Sequence, residues 1–196
     1  MKINFFAALL ICVCSLNIFA QSKITKEEYA VYASVLKIIY ADNLEENKTK
    51  LSFVIIDTTQ QPDNPIGIRK VNKIRGLINN FRQRNKESVK LEKSFPIKYR
   101  YEMVNKSEID RLLESEKRKD TLSEDAAEGW KTFERKYPDS NGYYQFSRIG
   151  FSSGREFALI HIKRSAAHGG NQTNYVLRKK KGLWTLYLAY GGGWVA

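Results

Sequence analysis

Cysteine occupies only two positions, Cys12 and Cys14, and histidine only two more, His161 and His168, in a chain of 196 residues. Beyond residue 14 there is no thiol to supply a disulfide, a thiolate nucleophile or a metal ligand. With two imidazoles left, a zinc site would have to borrow a carboxylate such as Asp57 or Glu156 to reach three or four ligands. The expectation is therefore no metal and no cofactor. A second scarcity is apolar length. A membrane span needs about 20 consecutive apolar residues, and nothing after the first 20 residues approaches that, so no transmembrane segment is expected in the mature chain. Internal repeats and low-complexity linkers are also missing, which leaves no sign of a second domain boundary.

What is present starts with "MKINFFAALLICVCSLNIFAQS". Lys2 gives a positive start, Phe5 to Ile18 an apolar run, and Ala20 a small residue before Gln21. This pattern is that of a secretory signal peptide over residues 1–20. A lipoprotein signal ending at Cys14 would want small residues ahead of it, where Ile11, Cys12 and Val13 stand. Residues 21–196 are then a single domain, secreted or periplasmic, and both cysteines leave with the signal. The formal charge is +12, and only Lys2 leaves with the signal. A surface this basic attracts anionic partners such as lipid headgroups or acidic polysaccharide; a solvated lysine-rich surface with no particular partner is the plainer alternative.

Periodicity sets out the elements. Thr25-Lys26-Glu27-Glu28 is a capping box, and Tyr29, Tyr32, Leu36, Ile39 and Tyr40 follow at helical spacing, which predicts a helix over 26–42. "KLSFVIIDTTQ" predicts a strand over 51–59. "QPDNPIG" is a loop, and Ile68, Val71, Ile74, Leu77, Ile78 and Phe81 then make the apolar stripe of one basic amphipathic helix. In "FPIKYRYEMVN" Ile97, Tyr99, Tyr101 and Met103 share one face of a strand, with Lys98, Arg100 and Glu102 on the other. Single-stranded nucleic acid needs aromatics and cations side by side, so this separation argues against a nucleic-acid partner. Ser107 with Asp110, and Thr121 with Glu124, predict two further helix starts.

From Gly142 the period becomes strand-like. "GYYQFSRIGFS", "REFALIHIKR", "NYVLRKKK" and "LWTLYLAY" are four strand candidates with short links, which favours an antiparallel meander. The expected fold class is α+β, with helices mainly in the N-terminal part and a C-terminal antiparallel meander of about four strands.

Three motifs invite chemistry. Gly150-Phe151-Ser152-Ser153-Gly154 matches G-x-S-x-G, but that serine should sit between a strand and a helix, and alternating "REFALIHIKR" follows it. His161 and His168 are seven apart with a loop between, and could meet across a hairpin. His161 shares a face with Phe157 and Leu159, which suits a hydrogen-bonded, partly buried histidine. Among the acids, Asp57 at the end of an apolar strand stands apart from those in helices. Sequons at Asn47, Asn105 and Asn171 matter only where secreted proteins are glycosylated.

The matching residues Trp130, Phe133, Tyr137, Pro138, Gly142, Ser147, Arg148, Gly150, Phe151, Ala158, Leu159, Tyr175, Val176, Leu177, Gly182, Trp184 and Trp194 form a pattern. Together with "EEYAVYASVLKIIY" and "LSFVIIDTT", it resembles a group of uncharacterised secreted bacterial proteins. The resemblance covers most of the mature chain and implies export, one domain and a C-terminal sheet, with no activity attached. That group often carries cysteines in the glycine-rich link, where Ser165, Ala166 and His168 stand here.

The reading that follows is a non-catalytic binding protein with a basic surface for an anionic partner. Its expected contact residues are Arg164, His168, Asn171, Asn174, Lys179, Lys180 and Lys181. The rival is a small extracytoplasmic hydrolase using His168, with His161, Ser152 or Asp57. A third reading, docking of a macromolecule through the sheet, would show as an exposed apolar patch.

Overall fold

The computed structural model describes residues 23–45, 51–62, 69–114 and 124–194. The expected signal peptide over 1–20, the start at Thr121 and the sequon at Asn47 lie outside the described residues. The first helix, α1 (Lys26–Glu45), opens on the capping box read from the sequence. The Thr25 N–H donates to Glu28 Oε2 at 3.0 Å, and the Glu28 N–H donates to Thr25 Oγ1 at 3.2 Å. α1 buries Val31, Tyr32, Val35 and Leu36 completely, a stripe at helical spacing.

The expected antiparallel meander of about four strands is overturned. The described residues form a seven-stranded mixed sheet with five helices. Its strands are β1 (Phe53–Ile56), β2 (Tyr101–Val104), β3 (Tyr143–Phe146), β4 (Gly150–Phe151), β5 (Phe157–Ala166), β6 (Gly169–Lys180) and β7 (Leu183–Trp194). The order is β2-β1-β3-β5-β6-β7, with β4 paired to β5 off that path. β1 runs parallel to both β2 and β3, and the remaining pairings are antiparallel. The physical reason lies in "FVII". All four residues are buried, because β1 is an interior strand covered on both faces, the usual situation of parallel pairing. An antiparallel meander confined to the C-terminal part has no place for such a strand.

α1 lies on one face of the sheet, against Phe53, Ile55, Tyr144, Phe146, Ile160 and Ile162. The other face is covered in two portions. The helices α4 (Lys106–Glu114) and α5 (Glu124–Lys136) pack Ile109 and Phe133 on Val54 and Ile56. The helices α2 (Arg69–Asn72) and α3 (Leu77–Arg84) pack Val71, Leu77 and Phe81 on Leu159 and Val176. The single basic helix expected from Ile68 onward is thus two pieces. Gly76 separates them at φ 77°, in the left-handed region that a residue with a side chain rarely adopts. The cap of α4 lies two residues before the expected Ser107: Asn105 Oδ1 accepts from the Ser107 N–H at 2.9 Å and from the Ser107 hydroxyl at 2.8 Å.

The linkers of the last four strands are tighter than the sequence suggests. β5 and β6 continue until Ala166 pairs with Gly169, leaving only Ala167 and His168 as the turn. Lys180 pairs with Leu183, and Lys181 (φ 49°) and Gly182 (φ 82°) make the next two-residue turn, the left-handed pair that a type I′ hairpin requires. The stretch from His161 to Trp184 is therefore strand, turn, strand and turn, with no extended loop.

Candidate functional site

The register of the sheet assembles a row of polar side chains that the sequence leaves far apart. Tyr144 on β3 stands opposite Arg164 on β5, and Arg164 stands opposite Asn171 on β6. On the next rungs, Ile162 faces Thr173 and Ile160 faces Tyr175. By alternation these residues share the α1 side of the sheet. Beyond Thr173, Gln172 and Asn171 the partner strand β7 carries only Gly191, Gly192 and Gly193, so it adds no side chain beside those rungs. The result is a hollow of about 200 Å3, lined by Ile39 and Asp42 of α1 and by Tyr144, Ile162, Arg164, Asn171, Thr173 and Tyr175. A second hollow of about 360 Å3 shares Arg164 and reaches Trp130, Glu134, Asn141, His168 and Gly170 at the hairpin end.

Arg164 is the polar centre of this region. Its Nε is buried and has no hydrogen-bond partner among the described residues. A buried donor left without an acceptor costs about 1–3 kcal/mol, so an oxygen placed there gains that amount back. The tyrosines beside it are held as neutral phenols. Burial pushes Tyr144 up to about 12, against the opposing charge of Arg164 and its hydrogen bonds with Asn141 and Arg164. The Tyr144 hydroxyl donates to Asn141 Oδ1 at 2.8 Å. Burial also raises Tyr175. The Asp42 carboxylate raises it further, while the Thr173 hydroxyl and Arg164 pull it down. Tyr175 thus feels a negative charge and a positive charge within the same hollow.

The expected contact set divides. Arg164 and Asn171 line the first hollow, and Arg164 and His168 line the second. Asn174 points to the opposite face, where its Oδ1 lies 3.1 Å from His161 Nδ1. Lys179 to Lys181 sit at the other end of β6, eight residues or more beyond Asn171 and so roughly 27 Å away at strand spacing. Lys179 Nζ donates to Glu27 Oε1 at 2.8 Å and lies 5.4 Å from the centroid of the Trp184 ring. Burial alone would raise Glu27, but the hydrogen bonds from Lys179 and Arg155 outweigh it and hold the carboxyl below its ordinary value.

The residues of the hydrolytic rival are dispersed. Ser152 Oγ accepts from the Phe157 N–H at 3.0 Å, at the start of β5. His168 lies beyond the other end of that ten-residue strand, roughly 30 Å along it. The residues after Ser153 turn and enter β5, with no helix between. Asp57 accepts from the Thr58 hydroxyl at 3.0 Å and pairs with Lys90 at 3.8 Å. His161 is buried, with its backbone N–H on Ser147 Oγ and its ring against Asn174. Among the described residues no three of the His, Cys, Asp and Glu side chains gather as a metal shell. No helix among them is long and apolar enough to cross a membrane.

Asp42, Tyr144, Thr173 and Tyr175 escaped the sequence reading. Tyr144 and Tyr175 have the spacing of core residues, and only the register brings them to Arg164. One local signal was legible: three glycines inside a strand mark a place where another group comes close. Comparison of the chain with protein families, with curated proteins and with solved structures finds no match.

Proposed function

We propose that this chain is an exported, non-catalytic binding protein whose ligand carries an anionic group seated on Arg164. The observation that carries the reading is the buried, unpartnered Nε of Arg164 at the wall of a polar hollow. Around it the Tyr175 hydroxyl and Asn171 offer further donors on one face of the sheet. The chain's charge of +12 supports the approach of an anion by long-range attraction. Export is supported by the amino-terminal pattern and by the resemblance to secreted bacterial proteins. A carboxylate is the simplest partner, because a guanidinium edge meets it with two parallel donors.

The test is a thermal-shift titration of the chain with acetate, phosphate and sulfate at low and high ionic strength. At least one anion raises the melting temperature saturably, less so at high salt, and Arg164→Gln abolishes the rise. A rise that survives Arg164→Gln would move the site to the lysine-rich end of β6, and no rise with any anion would remove the reading.

A further inference from the structure

The hollow holds both signs of charge. Asp42 lies in the last part of α1 and lines the same cavity as Arg164, yet the two are not among the ion pairs formed by the described residues. A guanidinium and a carboxylate that share a cavity of about 200 Å3 without closing on each other leave room for a group between them. Tyr175 senses both charges, which places its hydroxyl in the field of each.

The end of α1 adds a second reason for a cation there. Its last turn contains no basic residue, so the partial negative charge of the helix carboxyl end has no local counterion from its own helix. A bare dianion such as phosphate would gain at Arg164 and lose at Asp42. A ligand with a carboxylate at one end and an ammonium at the other satisfies both. Size agrees: the hollow is smaller than the roughly 300–1,000 Å3 of drug-sized sites. Ile39, Ile162 and the two tyrosine rings supply apolar wall for a short side chain.

We propose that the ligand is a small zwitterion of the α-amino-acid type, with its carboxylate on Arg164 and its ammonium on Asp42. The proposal rests on the anion reading above and names the ligand class for that same site. The chain gains no covalent chemistry from it; the site captures and releases.

The experiment is calorimetric titration of the folded chain with L-alanine and L-leucine, each compared with its N-acetyl form, which lacks the ammonium, and its amide, which lacks the carboxylate. The free amino acid binds roughly fivefold or more tighter than either blocked form, the size of one partly exposed ion pair. Asp42→Asn, at an exposed position, brings the free amino acid down to the affinity of its N-acetyl form and leaves the latter unchanged. If N-acetyl and free forms bind alike, the zwitterion is overturned while the anion site stands. If the amide binds as well as the free form, or if none binds, the anion reading falls with it.

Discussion

Glu28 shows how much one residue does in this fold. Its carboxylate is fully buried, returns to the Thr25 N–H as the second half of the capping box, and meets Arg84 Nη2 at 2.7 Å and Arg148 Nη2 at 3.3 Å. A buried charge persists only with partners of this kind; here the partners come from α3 and from the segment after β3, so one carboxylate ties three parts of the chain. Tyr144 gives the residue-scale prediction. Its folded value of about 12 stands above the ordinary 10.0. Its contribution to stability is therefore complete below pH 10 and is lost as pH rises through about 12. Tyr144→Phe removes that part of the alkaline decline, about 1.4 kcal/mol per pH unit across the window. Urea denaturation at several pH values between those limits measures it, and an unchanged slope in the variant would show that the phenol is not held back by its surroundings.

At the scale of elements, β7 is held to β6 by a close approach at one glycine. A Cβ at Gly191 would lie 1.9 Å from the Gln172 carbonyl oxygen, whereas at Gly192 nothing stands within 4 Å. Gly191→Ala is expected to cost about 1–3 kcal/mol, as overpacking does. Gly192→Ala is expected to be neutral or slightly stabilising, since glycine in a strand costs entropy. Chemical denaturation of the two variants separates them; equal effects would contradict the described register. Elements of this kind were legible in part. The capping box at Thr25 and Glu28 and the strand through His161 follow from local periodicity, whereas the strand expected from Ile97 to Met103 shortens to Tyr101–Val104, with Lys98 and Tyr99 in a bend before it. The break at Gly76 was not legible, because a glycine inside a helical stripe is tolerated often enough to leave the stripe intact on paper. Nor was the parallel pairing of β1, although four apolar residues without alternation in "FVII" carry the mark of an interior strand.

Across the whole molecule, the sheet has two chemically different ends. One end carries the hairpin at Ala167 and His168 and the hollows that share Arg164. The other carries the Lys181 turn, the Lys179–Glu27 bond and the half-exposed Leu186 and Tyr187 of the outer strand. Arg164, Asn171 and Lys179 to Lys181 are neighbours along the chain, which on sequence alone makes them one contact surface. A long hairpin carries such neighbours apart, and antiparallel register brings Tyr144 to Arg164 instead. Charge and residue type could point to Arg164 and Asn171; only pairing across β3, β5 and β6 could show what surrounds them.

The most direct test is nuclear magnetic resonance of the arginine side chains during titration with acetate. The Nε–H signal of Arg164 is expected to move saturably, while that of Arg84, whose Nε is also buried without a partner among the described residues but lies at the Glu28 cluster, stays in place. A stationary Arg164 signal, or equal movement of both, would contradict an anion seat at the hollow.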